Sequence, residues 1–378
     1  MEYNFYAFFE TVGFIQALTL GALLTAVHKS KYKSTLFLGF FLLAFALETV
    51  PIILESLGAF DLYPSLYLLP FDFFWLHFPL FYIYTQQISI FSDDKIKYWV
   101  LYPGILAFIA QLIFFFFSYE IKFAIADSVG YDIYTYCKIA YGLVIGVYTL
   151  FILNRHRIEV HNYFSMVESK ELKWARNFLI FNIIGSLLYS IFNHTIGKSI
   201  FAEIFFVCFD LILIYWVSYH GVKQRNVISL LVKKEEFESA SIEPLEKILA
   251  GRVDESNDES DKKEDKEALM EKIDAYMVSS ESFTHKDLTI IDLSERLEVH
   301  PKRISTTINT VQNQNFNAYV NQFRVKKAEE LLQDESKGHL SIEGIGNEVG
   351  FHSKSAFYSA FKKFSGTTPS KYKEGIMF

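Results

Sequence analysis

Apolar residues are distributed along this chain in two unlike patterns. Up to residue 221 they run in seven long stretches, near 6–27, 34–57, 66–90, 98–118, 132–153, 175–196 and 199–220. At roughly 20 residues each, these are long enough to span a bilayer as helices. Beyond residue 268 apolar and polar positions alternate with the shorter rhythm of amphipathic helices. Pro51 interrupts the second stretch, and Pro70 and Pro79 the third. Inside a membrane such breaks survive only where neighbouring helices or cavity water satisfy the freed backbone groups. The first stretch does not read as a secretion signal. Glu2 and Glu10 lead it, and the positive cluster Lys29, Lys31 and Lys33 follows it.

Composition sharpens the contrast. Of 378 residues, 51% are apolar and 21% charged, and the mean hydropathy is +0.19, which excludes a disordered chain. The two cysteines, Cys137 and Cys208, exclude a disulfide-built secreted scaffold. Residues 1–232 carry 15 basic against 16 acidic side chains, 233–267 carry 7 against 13, and 268–378 carry 14 against 14. The expected organisation is a seven-helix transmembrane domain over 1–221, a juxtamembrane helix and acidic linker over 222–267, and an all-helical domain over 268–378.

Loop charges orient the seven spans. With the N-terminus outside, inside loops and the exit of the last span carry twelve Lys or Arg, among them Lys33, Lys95, Arg155, Arg157, Lys173 and Arg225. The outer segments and helix ends carry three: Lys122, Lys138 and Lys198. That bias places the C-terminal domain in the cytoplasm.

Within the spans, Gly13, Ala17 and Gly21, the Gly142–Gly146 pair, and the heptad stripe Tyr134, Tyr141 and Tyr148 read as interhelical packing. Polar residues within the spans read differently. Glu203 and Asp210 share a face of the last span, Asn182 and Asn193 share one in the sixth, and Glu48, Asp72 and His77 fall in the second and third. Carboxylates in lipid are costly and face a bundle interior or wet cavity, so these seven residues form a candidate signal site, with interhelical struts as the competing reading. His77 and His194 have no ligand spacing, so no metal or other cofactor is expected. The chain lacks HExxH, GxSxG, a phosphate-cradling GxxxxGK[ST] and the kinase set, so nothing argues for an enzyme.

In the linker, Ile228, Leu231 and Val232 suit an amphipathic helix that lies on lipid or pairs with a second copy in a homodimer. Residues 252–267 have no large apolar residue beyond Val253 and read as a solvated spacer, or as an acidic competitor for a basic face.

The last domain predicts two helix-turn-helix units. Thr289 and Asp292 form a capping box, Leu293 and Leu297 mark a buried face, and Pro301 opens a second helix with Ile304 and Ile308 inward. Residues 341–350 repeat the plan as a short helix ending at Gly350, and Ser353 caps a helix whose inner face is Phe357, Ala360, Phe361 and Phe364. Phe316, Val320, Phe323, Ala328 and Leu331 outline a long helix between them.

The run IEGIGNEVGFHSKSAFYSAFKKFSGTTPSKYK is similar to the closing signature of AraC/XylS-type transcription regulators. The likeness covers about 268–376 and is dense over 323–373. Glu298 stands at a turn position where that family commonly has Gly or Asn, and Gly346 where it usually has Ala. The resemblance implies promoter DNA as partner, with RNA polymerase beside it, in a bacterial cytoplasm. It implies base-reading positions at Lys302, Ser305 and Thr306 in the first unit and Lys354, Ser355 and Ser359 in the second. Arg303, Lys362, Lys363, Lys371 and Lys373 suit phosphate contacts, which position without specifying. Residues 349–373 hold five lysines and no acid, so the neutral domain conceals a basic face.

The combined expectation is a membrane-integral, one-component transcription regulator in the inner membrane, answering a small-molecule or envelope signal. The alternatives are a transporter carrying a regulatory domain and an intramembrane enzyme with a DNA-binding tail, for which no chemistry is visible.

Overall fold

The computed structural model describes residues 5–26, 33–92, 94–195, 199–224, 227, 261–337 and 339–375. They are helical almost throughout, and the only extended pairing among them is an isolated bridge between Phe164 and Thr289. The chain divides into two units. Described residues up to Arg155 and from Leu172 to Val227 form the first; His156–Glu171 joins residues from 261 onward in the second.

The first unit contains α1 (Phe5–Ala26), α2 (Ser34–Ser56), α3 (Phe74–Ile88), α4 (Tyr102–Phe115), most of α5 (Val129–Tyr163), α6 (Lys173–Thr195) and α7 (Ile200–Lys223). Among the described residues, six helices are long and apolar enough to cross a membrane, α4 being counted with its leading turn from Tyr98. The expected third span, 66–90, is the exception. Its helix is 15 residues long, about 22 Å at the usual rise and short of a bilayer core. Every residue from Phe78 to Ile88 is buried, so α3 is enclosed within the bundle, and α2, α4, α5 and α6 pack against it.

Small residues set the crossings. A Cβ on Gly21 would lie 3.0 Å from the Gly39 carbonyl oxygen, and one on Gly39 would lie 3.0 Å from that of Gly21, so α1 and α2 touch backbone to backbone. The tyrosine stripe of α5 meets α3: Tyr134 and Tyr141 pack on Trp75, and Tyr148 on Tyr82. Outward faces are also apolar. Ile105, Leu106 and Ile109 of α4, Val144, Val147 and Phe151 of α5, Ile184, Leu188 and Ile191 of α6, and Ile212 and Tyr215 of α7 are exposed.

The expected fifth span, 132–153, continues as helix to Tyr163. Arg155, Arg157, Glu159 and His161 halt the apolar run without breaking the helix, because none of them is a helix breaker. The expected juxtamembrane helix (Ile228, Leu231, Val232) and the linker as far as residue 260 lie outside the described residues.

In the second unit, α8 (Asp261–Ser280) begins seven residues ahead of the expected domain start. Its acidic first turns belong to a helix whose Leu269, Met270, Ile273 and Met277 enter the core. Then come α9 (Ile290–Leu297), α10 (Pro301–Val311), α11 (Phe316–Gln333), α12 (Ile342–Glu348), α13 (Lys354–Ser365) and α14 (Pro369–Lys373). Two apolar cores result, one under α8–α10 and one under α12–α14. The 18-residue α11 serves both, through Phe316, Tyr319 and Val320 at one end and Val325, Ala328 and Leu332 at the other.

Candidate functional site

Each short helix of the second unit is started by its own sequence. Thr289 N donates to Asp292 Oδ2 at 2.8 Å and Asp292 N donates to Thr289 Oγ1 at 3.3 Å, the reciprocal box expected ahead of α9. Pro301 occupies the first turn of α10, and Ser341 and Ser353 cap α12 and α13 by accepting from Gly344 N and Ala356 N. Between α12 and α13, Gly350 has φ +100°. A Cβ there would sit 2.7 Å from the Thr284 carbonyl oxygen and 3.0 Å from Arg324 Nε, so only glycine closes this turn.

Glu298 ends α9 in the left-handed region, φ 54°, ψ 36°. A side chain there costs about 1 kcal/mol relative to glycine. Glu298→Gly should therefore slow amide exchange in α9 by the corresponding factor of about five; unchanged exchange would show that the Glu298 side chain offsets its strain. The other departure from the family pattern has a packing reason. A Cβ on Gly346 would lie 2.7 Å from Phe357 Cδ1, so the ring fills the volume that an alanine methyl would take.

Both second helices, α10 and α13, present polar outer faces. Lys302, Arg303 and Thr306 on α10 are exposed, as are Lys354, Ser355, Ser359, Lys362 and Lys363 on α13 and Lys371 and Lys373 on α14. Ser305 differs from the outward placement expected of it: it is 7% exposed. Helix α10 packs against both α8 and α9, which widens its buried arc beyond Ile304 and Ile308 to Pro301, Ser305 and Thr307.

Two of the exposed cations face acids of the same unit. Lys354 Nζ lies 2.5 Å from Glu343 Oε1, and this hydrogen bond raises the lysine's proton affinity. Arg303 lies 3.8 Å from Asp265 of α8. Behind these faces the buried Arg324 of α11 donates from Nε to the Phe283 carbonyl at 2.7 Å and from Nη2 to the His285 carbonyl at 2.9 Å. Burial lowers its pKa to about 10, which leaves it charged at neutral pH. Sequence reading missed Arg324 and α8. The only signals were an arginine on the inward arc of α11 and the spacing of Leu269, Ile273 and Met277.

Residues 293–375 match the family described as a helix-turn-helix domain. The Msm operon regulatory protein of Streptococcus mutans is 32% identical over 89 residues, 24% of this chain and 31% of that protein. The raffinose operon transcriptional regulatory protein of Pediococcus pentosaceus is 31% identical over 23% of this chain and 31% of its own length. For the melibiose operon regulatory protein of Escherichia coli the values are 31%, 23% and 28%. The C-terminal domain is an AraC-type helix-turn-helix domain. This chain thus spans about a third of the length of the curated relatives it matches. A solved structure of a protein of unknown function from Listeria innocua aligns with 29% of this chain and 98% of its own, at 23% identity and a TM-score of 0.25.

The first unit holds a separate polar cluster. Glu48 Oε2 lies 2.9 Å from His77 Nε2, and Lys138 Nζ donates to Asp72 Oδ2 at 2.6 Å. Asp72 and Asp210 are also within electrostatic reach of His77. Four of the expected membrane-site residues, Glu48, Asp72, His77 and Asp210, therefore converge. Lys138, read from sequence as an outer helix-end charge, joins them. No described hydrogen bond or ion pair links Glu203 or the Asn182 side chain to this group, and the side chain of Asn193 lies outside the described residues. Among the described residues no set of three His, Cys, Asp or Glu side chains is arranged to hold a metal ion.

Proposed function

We propose that this chain is a membrane-integral, one-component transcription regulator: the helical bundle receives a signal and the cytoplasmic AraC-type domain binds promoter DNA. One observation carries this reading. A single chain joins six helices of membrane-spanning length and composition to a helix-turn-helix domain. The apolar outward faces of α4–α7 suit lipid. The short α3, enclosed by its neighbours, can serve as a seventh crossing without meeting lipid along its length. Seven crossings with the N-terminus outside put the basic loops and the C-terminal domain in the cytoplasm.

The relatives' role in operon regulation supports the same class of activity here, with RNA polymerase as second partner. Lys302, Thr306, Lys354, Ser355 and Ser359 form the base-reading set, and Arg303, Lys362, Lys363, Lys371 and Lys373 the phosphate-contacting set. Crosslinking the chain to DNA in living cells and sequencing the recovered fragments should return a small group of promoters. Reporter fusions after Arg155 should read as cytoplasmic, and one near Asp127 as external. An even spread of fragments, or a cytoplasmic reporter at Asp127, would overturn the reading.

The signal acts on the cluster of Glu48, Asp72, His77, Lys138 and Asp210. The two carboxylates of α7 should therefore behave differently. Asp210→Asn should change the promoter response at unchanged protein level, while Glu203→Gln should respond as the parent does. Equal responses from the two variants would place signal reception elsewhere.

A further inference from the structure

The segment that follows α5 is built into the DNA-binding unit. Phe164 and Thr289 form a β-bridge, and Ser165 N donates to the Leu288 carbonyl at 3.1 Å. Asn317 Nδ2 donates to the Ser165 carbonyl at 2.6 Å, and Arg324 Nη2 to Ser165 Oγ at 3.2 Å. Phe164, Ser165 and Met166 are buried at 2%, 0% and 6% exposure. Tyr163 packs on the core of the first helix-turn-helix and Met166 sits in the core of the second. A surface loop does not bury three consecutive side chains and offer a hydroxyl to a buried arginine by accident of proximity.

The segment ends at the face proposed for DNA. Ser353 Oγ, which caps α13 by accepting from Ala356 N, donates to both carboxylate oxygens of Glu168, at 3.1 and 3.0 Å. The first turn of a recognition helix enters the groove, and helix N-termini are where phosphate is held. Glu168 places a carboxylate at the N-terminus of α13. At its other end the segment is pinned to the last turns of α5: His161 Nε2 meets Glu171 Oε1 at 2.5 Å and His156 Nε2 meets the Lys170 carbonyl at 2.7 Å. It continues directly into Leu172 and α6.

We propose that residues 163–171 are a strap docked in the DNA-binding domain, and that Glu168 competes with the DNA backbone for the N-terminus of α13. The strap rests on the DNA-binding reading above. Because it joins α5 to α6, a signal that moves these two helices shifts Glu168 relative to Ser353 and so opens or closes the second recognition helix to DNA.

The test uses the full chain in lipid nanodiscs, with Cys137 and Cys208 replaced by serine and the pair Glu168→Cys, Ser353→Cys introduced. Mild oxidation should form the 168–353 disulfide in the absence of DNA. A saturating 40-bp mixed-sequence duplex, on the order of twice the length that two successive major grooves require, should slow its formation. With natural residues restored elsewhere, Glu168→Gln should bind that duplex about two- to fivefold more tightly, the scale of one carboxylate at a helix N-terminus. Glu271→Gln, an exposed acid on α8, controls for net charge and should bind as the parent does. A folded double-cysteine chain that forms no disulfide would overturn the docking. A disulfide that forms equally fast with and without bound duplex would overturn the competition, as would equal gains from Glu168→Gln and Glu271→Gln. If the parent binds no duplex, the DNA-binding reading falls and takes the competition with it, while disulfide formation still reports the docking.

Discussion

Arg324→Ala should destabilise the C-terminal domain by about 3–4 kcal/mol, the scale of losing two or more hydrogen bonds from a buried charged group together with the volume of its side chain. Arg324 is fully buried, and its guanidinium ties α11 to the chain ahead of α9 through the Phe283 and His285 carbonyls. It lies 5.5 Å from the Phe351 ring, at the turn between α12 and α13, and Gly350 packs directly on Nε. One side chain thus meets elements of both helix-turn-helix units and the Ser165 hydroxyl. Arg324→Lys should recover little, since an ammonium cannot reproduce the planar fork that serves several acceptors at once. Amide exchange of the full chain in nanodiscs reads the effect. Exchange in α9 and α12 should quicken by roughly 200- to 900-fold for Arg324→Ala. Exchange within threefold of the parent would show that the two cores hold together without this residue.

Lys354→Ala should weaken binding to a cognate promoter site by about 1–3 kcal/mol and relax base preference at one position, because a lysine at the start of a recognition helix can donate to a guanine edge. Lys363→Ala should weaken cognate and scrambled duplexes alike and lower the salt slope by about one unit, as a phosphate contact does. Both lysines are exposed on α13, nine residues apart, so the contrast separates their roles from general loss of charge. Lys354 differs further in its partner. It must leave Glu343 Oε1, 2.5 Å away, to reach a base, and giving up a carboxylate for a neutral guanine edge moderates its net contribution. Titrations of both variants against the two duplexes at two salt concentrations separate the cases. Equal losses on both duplexes for Lys354→Ala would leave the specificity of α13 to Ser355 and Ser359.

How far the chain announces itself depends on the range of each interaction. Helix starts were legible because their causes are local: the Thr289–Asp292 box spans three residues, and Ser341 and Ser353 each cap the amide three residues on. The inward arcs of α9, α10 and α13 followed from the same short period. So did six of the apolar stretches, since a long run of Leu, Phe and Ile needs no partner to be recognised as helix of spanning length. Gly21 could be read as a packing residue, although its contact with Gly39 could not.

What depended on distant partners was decided only by the tertiary structure. The 66–90 stretch has the composition of a span, yet α3 is short and central because other helices enclose it, which hydropathy alone cannot register. Lys138 reads as an end charge until Asp72, 66 residues earlier, is found against it. Ser305 lies on the outward side of a helix drawn alone and becomes buried once α8 and α9 both pack on α10. The strap is the extreme case. Ser165 meets Arg324 across 159 residues of sequence and Glu168 meets Ser353 across 185. Capping and periodicity act within a turn or two of helix, so they specify the elements. Which buried polar group satisfies which is settled by packing, where an arginine, a serine and two carbonyls must meet because none of them has water to turn to.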